Sequence, residues 1–262
     1  MKKRKLAIWA CISLLLIIMP GFLLYQHYHE QSQQEAQFTE LREMAAIHRN
    51  MGVDSLPPAD LPAGELQDSS SMEEIPTLQD ANEDCIGWVQ IPDTAVDYPV
   101  MQTKTDSEFY LKRDFYGNYS NFGTPFLDAR CDAASSRNLI VYAHHMDDGS
   151  MFAALDRYKD AGYAKDHPEI LLEINGEIRR YAVVASILQT GTYYEGEPSI
   201  YQYVDLRQPK EFEEFKEFIN SSALIRTKEI IQAEDSFLTL STCEYSQADG
   251  RIAVVARRIL TS

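Results

Sequence analysis

From Ile75 to the C-terminus, apolar residues come in runs the length of a β-strand, and no long helical pattern could absorb them. "CIGWVQIP", "AVDYPVMQ", "TPFLDAR", "NLIVYAH", "EILLEI", "RRYAVVASILQ", "FLTLSTC" and "RIAVVARRIL" are continuous or alternating, with turn residues between them, and read as strands. An Asn-Gly pair in "EINGEIRRY" joins two of them, a strong hairpin signal. Two stretches read as helices, "GSMFAALDRY" and "RQPKEFEEFKEFINSS". In the second, Phe212, Phe215 and Ile219 recur at helical spacing with acidic residues opposite. About eight strands with few helices predict a mainly antiparallel barrel or sandwich.

The N-terminal part has a different texture. Residues 6–25, "LAIWACISLLLIIMPGFLLY", contain no charged side chain. As a helix they would span roughly 30 Å, the thickness of a bilayer's hydrocarbon core. Lys2, Lys3, Arg4 and Lys5 precede them, which orients the N-terminus to the cytoplasm and the remainder outside the cell. A cleaved signal peptide shares the basic start, but the apolar run is long and bulky residues follow it, so an uncleaved signal anchor is expected. Residues 26–50 carry Phe38, Leu41, Met44 and Ile47 every third position, a narrow stripe suited to a stalk helix. Residues 51–72 contain Pro57, Pro58, Pro62 and a serine run, and read as a linker. The expected organisation is a cytoplasmic tail (1–5), a transmembrane anchor (6–25), a stalk and linker (26–75) and one folded domain (76–262).

Charge and cysteine content exclude several roles. Four of the 24 basic residues lie before the apolar run, leaving 20 against 40 acidic residues. Such a balance disfavours nucleic acid, whose binding needs clustered Lys and Arg. Cys11, Cys85, Cys131 and Cys243 form no CxxC pair, and no ligand cluster points to a metal. No cofactor is expected either.

The segment "TLSTCEYSQADGRIAVVARRI" concentrates the chemistry. Strand alternation places Leu238, Leu240 and Thr242 on one face, read as the core face, and Phe237, Thr239, Ser241 and Cys243 on the other, more polar one. The next strand begins at Arg251 after a short loop, so an antiparallel pair would set Arg251 across from Cys243. A thiol needs help to react as thiolate, usually from a histidine. Of the six, His27, His29 and His48 belong to the stalk and His167 precedes Pro168 in a turn. His144 and His145 end the "NLIVYA" strand, where a side chain can project over a barrel rim.

"TLSTC" followed by Arg251 is similar to the TLxTC…R signature of sortases, membrane-anchored cysteine transpeptidases of Gram-positive bacteria. "NLIVYAHHMDDGSMFAAL" resembles the family's histidine segment. "IGWVQIPDTAVDYPVMQ", "FYLKRDFYGNYSNFGTPFLDAR" and the acidic helix before the cysteine strand resemble class B members. The resemblance covers residues 78–260 and implies an eight-stranded sortase-type β-barrel with peripheral helices. It implies Cys243 as nucleophile, His144 as acid/base, and Arg251 as oxyanion or substrate partner, with Ser241 and Thr242 shaping the substrate groove. The family usually shows Gly-His-Asn where this chain has Ala143-His144-His145, and the register favours His144. The implied reaction cleaves a Thr–Gly-type bond in the C-terminal sorting signal of a secreted protein and transfers that protein to a cell-wall peptide or pilin amine. Class B resemblance implies a signal beginning Asn-Pro or Ser-Pro. Two rivals remain: an extracytoplasmic papain-like protease, whose cysteine would open a helix, and a non-catalytic membrane-tethered binding module.

Overall fold

The computed structural model describes residues 2–54, 77–191 and 198–260. Two units are distinguished, residues 1–41 and residues 42–262. Helix α1 (Lys2–Asp54) runs through Pro20. Most of the Pro/Ser-rich linker lies outside the described residues. Among the described residues no helix is long and apolar enough to cross a membrane. The spanning helix expected over 6–25 is therefore not seen here and rests on sequence; most side chains of 6–17 lie outside the description.

In the second unit, α2 (Leu78–Ala81) precedes β1 (Cys85–Gln90), β2 (Asp97–Met101), β3 (Phe126–Leu127) and β4 (Asn138–Tyr142). Then come a 3₁₀ helix (Ala153–Lys159), α3 (Ala161–Asp166), β5 (Glu169–Ile174), β6 (Glu177–Thr190), α4 (Pro209–Ser222), β7 (Ala223–Arg226), β8 (Phe237–Glu244) and β9 (Gly250–Ile259). The strand order is β5-β1-β2-β3-β4-β8-β9-β6, and β5 also pairs with β6, so eight strands close into a barrel. The ninth, β7, hangs on the second half of β6, whose first half holds β5. All eight expected runs contain strands, while β7 is an addition.

The sheet is mainly antiparallel, as expected, but two pairings are parallel. β2 pairs in parallel with β3, and β4 with β8. Parallel neighbours need a long crossover, and β5, β6, β7 and the helices supply it between β4 and β8. The Asn-Gly hairpin is present: Ile174 pairs with Glu177, and Asn175 and Gly176 take φ of 53° and 71°. Positive φ at both central residues is the turn geometry that matches strand twist. "GSMFAALDRY" becomes the 3₁₀ helix rather than an α-helix.

Helix α4 starts on Pro209, whose missing N–H costs nothing in a first turn. Phe212, Phe215, Phe218 and Ile219 are buried. They pack with Val184, Ile187, Phe237 and Val255, and the Phe215 and Phe237 rings meet edge-on at 4.9 Å. This corrects the expected polar face of β8. Phe237, Thr239 and Ser241 are as buried as the leucines opposite, and within β8 only Cys243 is partly exposed. Below it, Thr239 donates to Asn138 Oδ1 (2.9 Å), and Asn138 Nδ2 donates to Tyr203 O (2.7 Å). Both polar residues are fully buried, so these bonds remove a large desolvation cost. Replacing Phe215 by alanine empties the centre of this layer. It should lower unfolding free energy by about 3–5 kcal/mol, read as a lower urea midpoint at unchanged slope.

Candidate active site

β8 lies between β4 and β9, and this placement assembles the site. The antiparallel register with β9 sets Cys243 opposite Arg251. The parallel register with β4 ends at Tyr142 and Ser241, so the chain leaving β4 passes Cys243 two residues later, at His144. Cys243, Arg251 and His144 line one cleft of about 500 Å³, together with Ser241 and Thr242. His145 is not among its lining residues.

His144 is half-buried, and its Nε2 lies 2.7 Å from Leu111 O. A carbonyl only accepts, so Nε2 carries the hydrogen and the neutral ring keeps its free lone pair on Nδ1. Its backbone carbonyl accepts from Phe152 N at 2.9 Å. Burial lowers the His144 pKa; the bond to Leu111 O opposes this, and the nearby Lys112 charge adds to the lowering. Both causes of the lowering act against the imidazolium, so neutral imidazole extends to lower pH than in an exposed histidine. An NMR titration of the ring should give a midpoint below about 6.5. Lys112→Ala removes a repelling cation and should move that midpoint upward.

Arg251 donates through Nη1 to Gly250 O (2.9 Å) and pairs with Asp249 Oδ1 at 3.2 Å. Gly191 packs against it so closely that an added Cβ would lie 2.9 Å from Arg251 Cζ and from Asp249 Oδ1. Gly191→Ala should therefore displace the guanidinium. Turnover is expected to fall about tenfold or more, since small misplacements at a reacting centre are costly, while circular dichroism of the fold stays unchanged.

Ser241 and Thr242 sit in the cleft with their hydroxyls already engaged. Ser241 Oγ shares a 2.7 Å bond with Tyr201 Oη, and Thr242 Oγ1 donates to Ala143 O (2.8 Å). Each oxygen keeps further acceptor capacity. The remaining wall was not singled out in the sequence. Phe126, Tyr142 and Tyr201 form an aromatic row with centroids 5.6 and 5.7 Å apart. Tyr142 Oη donates to Asp128 Oδ2 (2.9 Å), and Arg130 holds both Asp128 oxygens at 2.9 and 2.6 Å and donates to Tyr201 O at 2.8 Å. Burial pushes the Asp128 carboxyl up, but the bonds and charge of Arg130 outweigh it and hold the group below the usual carboxylate range. The "TPFLDAR" run contains Asp128 and Arg130, yet strand alternation alone gives no reason to couple them. Tyr201 follows a segment without strong pattern, and only the fold brings it to Ser241.

The three described cysteines are free. Burial pushes the thiols of Cys85 and Cys131 up to about 12 and about 11. Neither is poised to react, which leaves Cys243 as the accessible thiol among them.

A family model for the Sortase domain matches residues 89–259. The chain is 27% identical to sortase B of Staphylococcus aureus (strain NCTC 8325 / PS 47) over 264 residues, covering 99% of each protein. Its fold is similar to that in a S. aureus sortase B–substrate complex, with a TM-score of 0.71 and 25% identity over 89% of this chain and 99% of that one. Sortase B from B. anthracis superposes with a TM-score of 0.61 and 32% identity, over 70% of this chain and 83% of that one.

Proposed function

The chain belongs to the sortase family, and on that premise we propose that Cys243, His144 and Arg251 carry its reaction. The class is B, and the enzyme is a cysteine transpeptidase of the sortase kind. The observation that supports the assignment is a single cleft receiving a thiol from the end of β8, a guanidinium from the start of β9 and an imidazole from beyond β4.

In this reading the Cys243 thiolate attacks the threonyl carbonyl at the scissile bond of a C-terminal sorting signal, and a thioester forms. His144, with Nε2–H fixed on Leu111 O, exchanges protons at Nδ1. As imidazolium it protonates the departing amine; as neutral base it takes the proton of the incoming one. Arg251 supplies fixed donors near the developing oxyanion. Ser241 and Thr242 shape the groove through hydroxyl oxygens that still accept. The signal begins Asn-Pro or Ser-Pro, and the acceptor is an amine of a cell-wall precursor peptide or of a pilin. The chain is held by residues 6–25 as a signal anchor, with 1–5 in the cytoplasm, 26–75 as stalk and linker, and the catalytic domain, 76–262, outside the cell. Support for the anchor comes from the uncharged run and the basic residues before it.

A papain-like arrangement is disfavoured because Cys243 lies near the end of a strand rather than opening a helix. Incubating the protein with sorting-signal peptides and an amine should give a mass adduct on Cys243 and a transpeptidated product. Cys243→Ala should abolish both. His144→Ala and Arg251→Ala should each slow turnover by on the order of 10²–10³. Hydrolysed peptide alone, whichever amine is offered, would refute transfer; full activity of Arg251→Ala would refute its role.

A further inference from the structure

The association of β4 with β8 continues past the end of its backbone ladder. Ala143 N donates to Ser241 O at 3.2 Å, the last main-chain bond between the two segments. Beyond it the bonds come from side chains and alternate in direction. Thr242 Oγ1 donates to Ala143 O (2.8 Å), and His145 Nδ1 lies 3.0 Å from Cys243 O. Tyr245 Oη then donates back to His145 O (3.1 Å), with its ring 5.1 Å from the imidazole. The Cys243 carbonyl can only accept, so His145 carries its hydrogen on Nδ1 and does so whether or not Nε2 is protonated. These bonds fall on the residues flanking His144 and on Thr242, Cys243 and Tyr245.

We propose that Thr242, His145 and Tyr245 form a clasp that fixes the distance between the Cys243 and His144 segments, with His145 as a positioning residue acting through the Cys243 main chain. The proposal rests on the reading of Cys243 and His144 as nucleophile and proton carrier, and assigns a task to the second histidine of the pair. Strand ends and loops are the first parts of a fold to open. Cys243 stands one residue from the end of β8 and His144 lies beyond the end of β4. Without cross-bonds each would move independently. Displacement of a reacting group by about 1 Å costs on the order of 10²-fold in rate. His145 has no part in the proton transfers: its Nδ1 is committed to the Cys243 carbonyl, and it does not line the cleft.

Three full-length variants test this, assayed with a sorting-signal peptide and an amine beside Cys243→Ala. His145→Ala removes the donor and should lower kcat by about 10- to 100-fold with KM within about twofold, as expected when orientation and not binding is lost. His145→Asn returns an N–H one bond from Cγ, where Nδ1 stands in histidine, and should recover kcat to within about threefold of the parent. Tyr245→Phe removes the hydroxyl of an exposed side chain without threatening the fold, and should lower kcat about threefold to tenfold. Iodoacetamide labelling of Cys243 should slow in the same order. An unchanged kcat in His145→Ala or Tyr245→Phe overturns the clasp. So does a folded His145→Asn as slow as His145→Ala. Turnover surviving in Cys243→Ala would overturn the functional reading and the clasp with it; a dead Cys243→Ala beside a full-speed His145→Ala overturns the clasp alone.

Discussion

Two-sided pairing of β8 is the constraint on which the rest of the molecule depends. Its backbone is committed to β4 on one edge and β9 on the other, and its side chains are buried on both faces until Cys243. Side-chain period in a strand is two, so a slip of one residue would turn Cys243 inward and drive Thr242 outward. Such a slip would also take Phe237 out of its site beneath α4. The hydrophobic layer thus fixes the register, and the register places the chemistry. No dedicated contact among Cys243, His144 and Arg251 is required to bring the three side chains to one cleft.

Burial of charge next to the thiol is handled by pairing. Glu244, the residue after Cys243, has a buried side chain and accepts from Lys159 Nζ at 2.8 Å, while Ser246 supplies two more donors. Burial alone would push this carboxyl up, yet the lysine and serine bonds hold it below the usual range. Asp128 is treated alike by Arg130. The chain is strongly acidic, but these two carboxylates near the cleft face a cation. That matters for the proposed reaction, in which a thiolate and then an oxyanion form at this cleft, since an unpaired carboxylate nearby would raise the energy of both.

Much of this arrangement can be read along the chain because it is local. Alternation finds the eight barrel strands, the Asn-Gly pair finds the β5–β6 turn, and seven residues between Cys243 and Arg251 imply an antiparallel pair. What is not local stays hidden. The parallel partnership of β4 and β8 leaves no mark in either strand, so a mainly antiparallel sheet can be read from the chain but not which of its pairs are parallel. β7 has four residues and half-buried alternation, too little pattern to separate from the end of α4. The Phe237 face reads as polar because Thr239 and Ser241 lie on it; its burial depends on α4 folding over it and on Asn138 and Tyr201 arriving to satisfy the hydroxyls. The resemblance already favours His144 over His145 by register, and the fold separates the two by what each nitrogen meets.

The crossover between β4 and β8 also sets an order of events. Thr242 and the Ala143 carbonyl it holds are 99 residues apart, with β5, β6, β7 and α4 between them. A chain that emerges N-terminus first presents β1 to β4 early, and the gap left for β8 stays open until β5, β6, β7 and α4 have appeared. Closing so long a loop is slow compared with local hairpins. His144 and Cys243 are therefore brought to one cleft only when β8 pairs with β4. In the proposed mechanism, the pairing of nucleophile and base is therefore a product of the long-range β4–β8 closure and not of either strand alone.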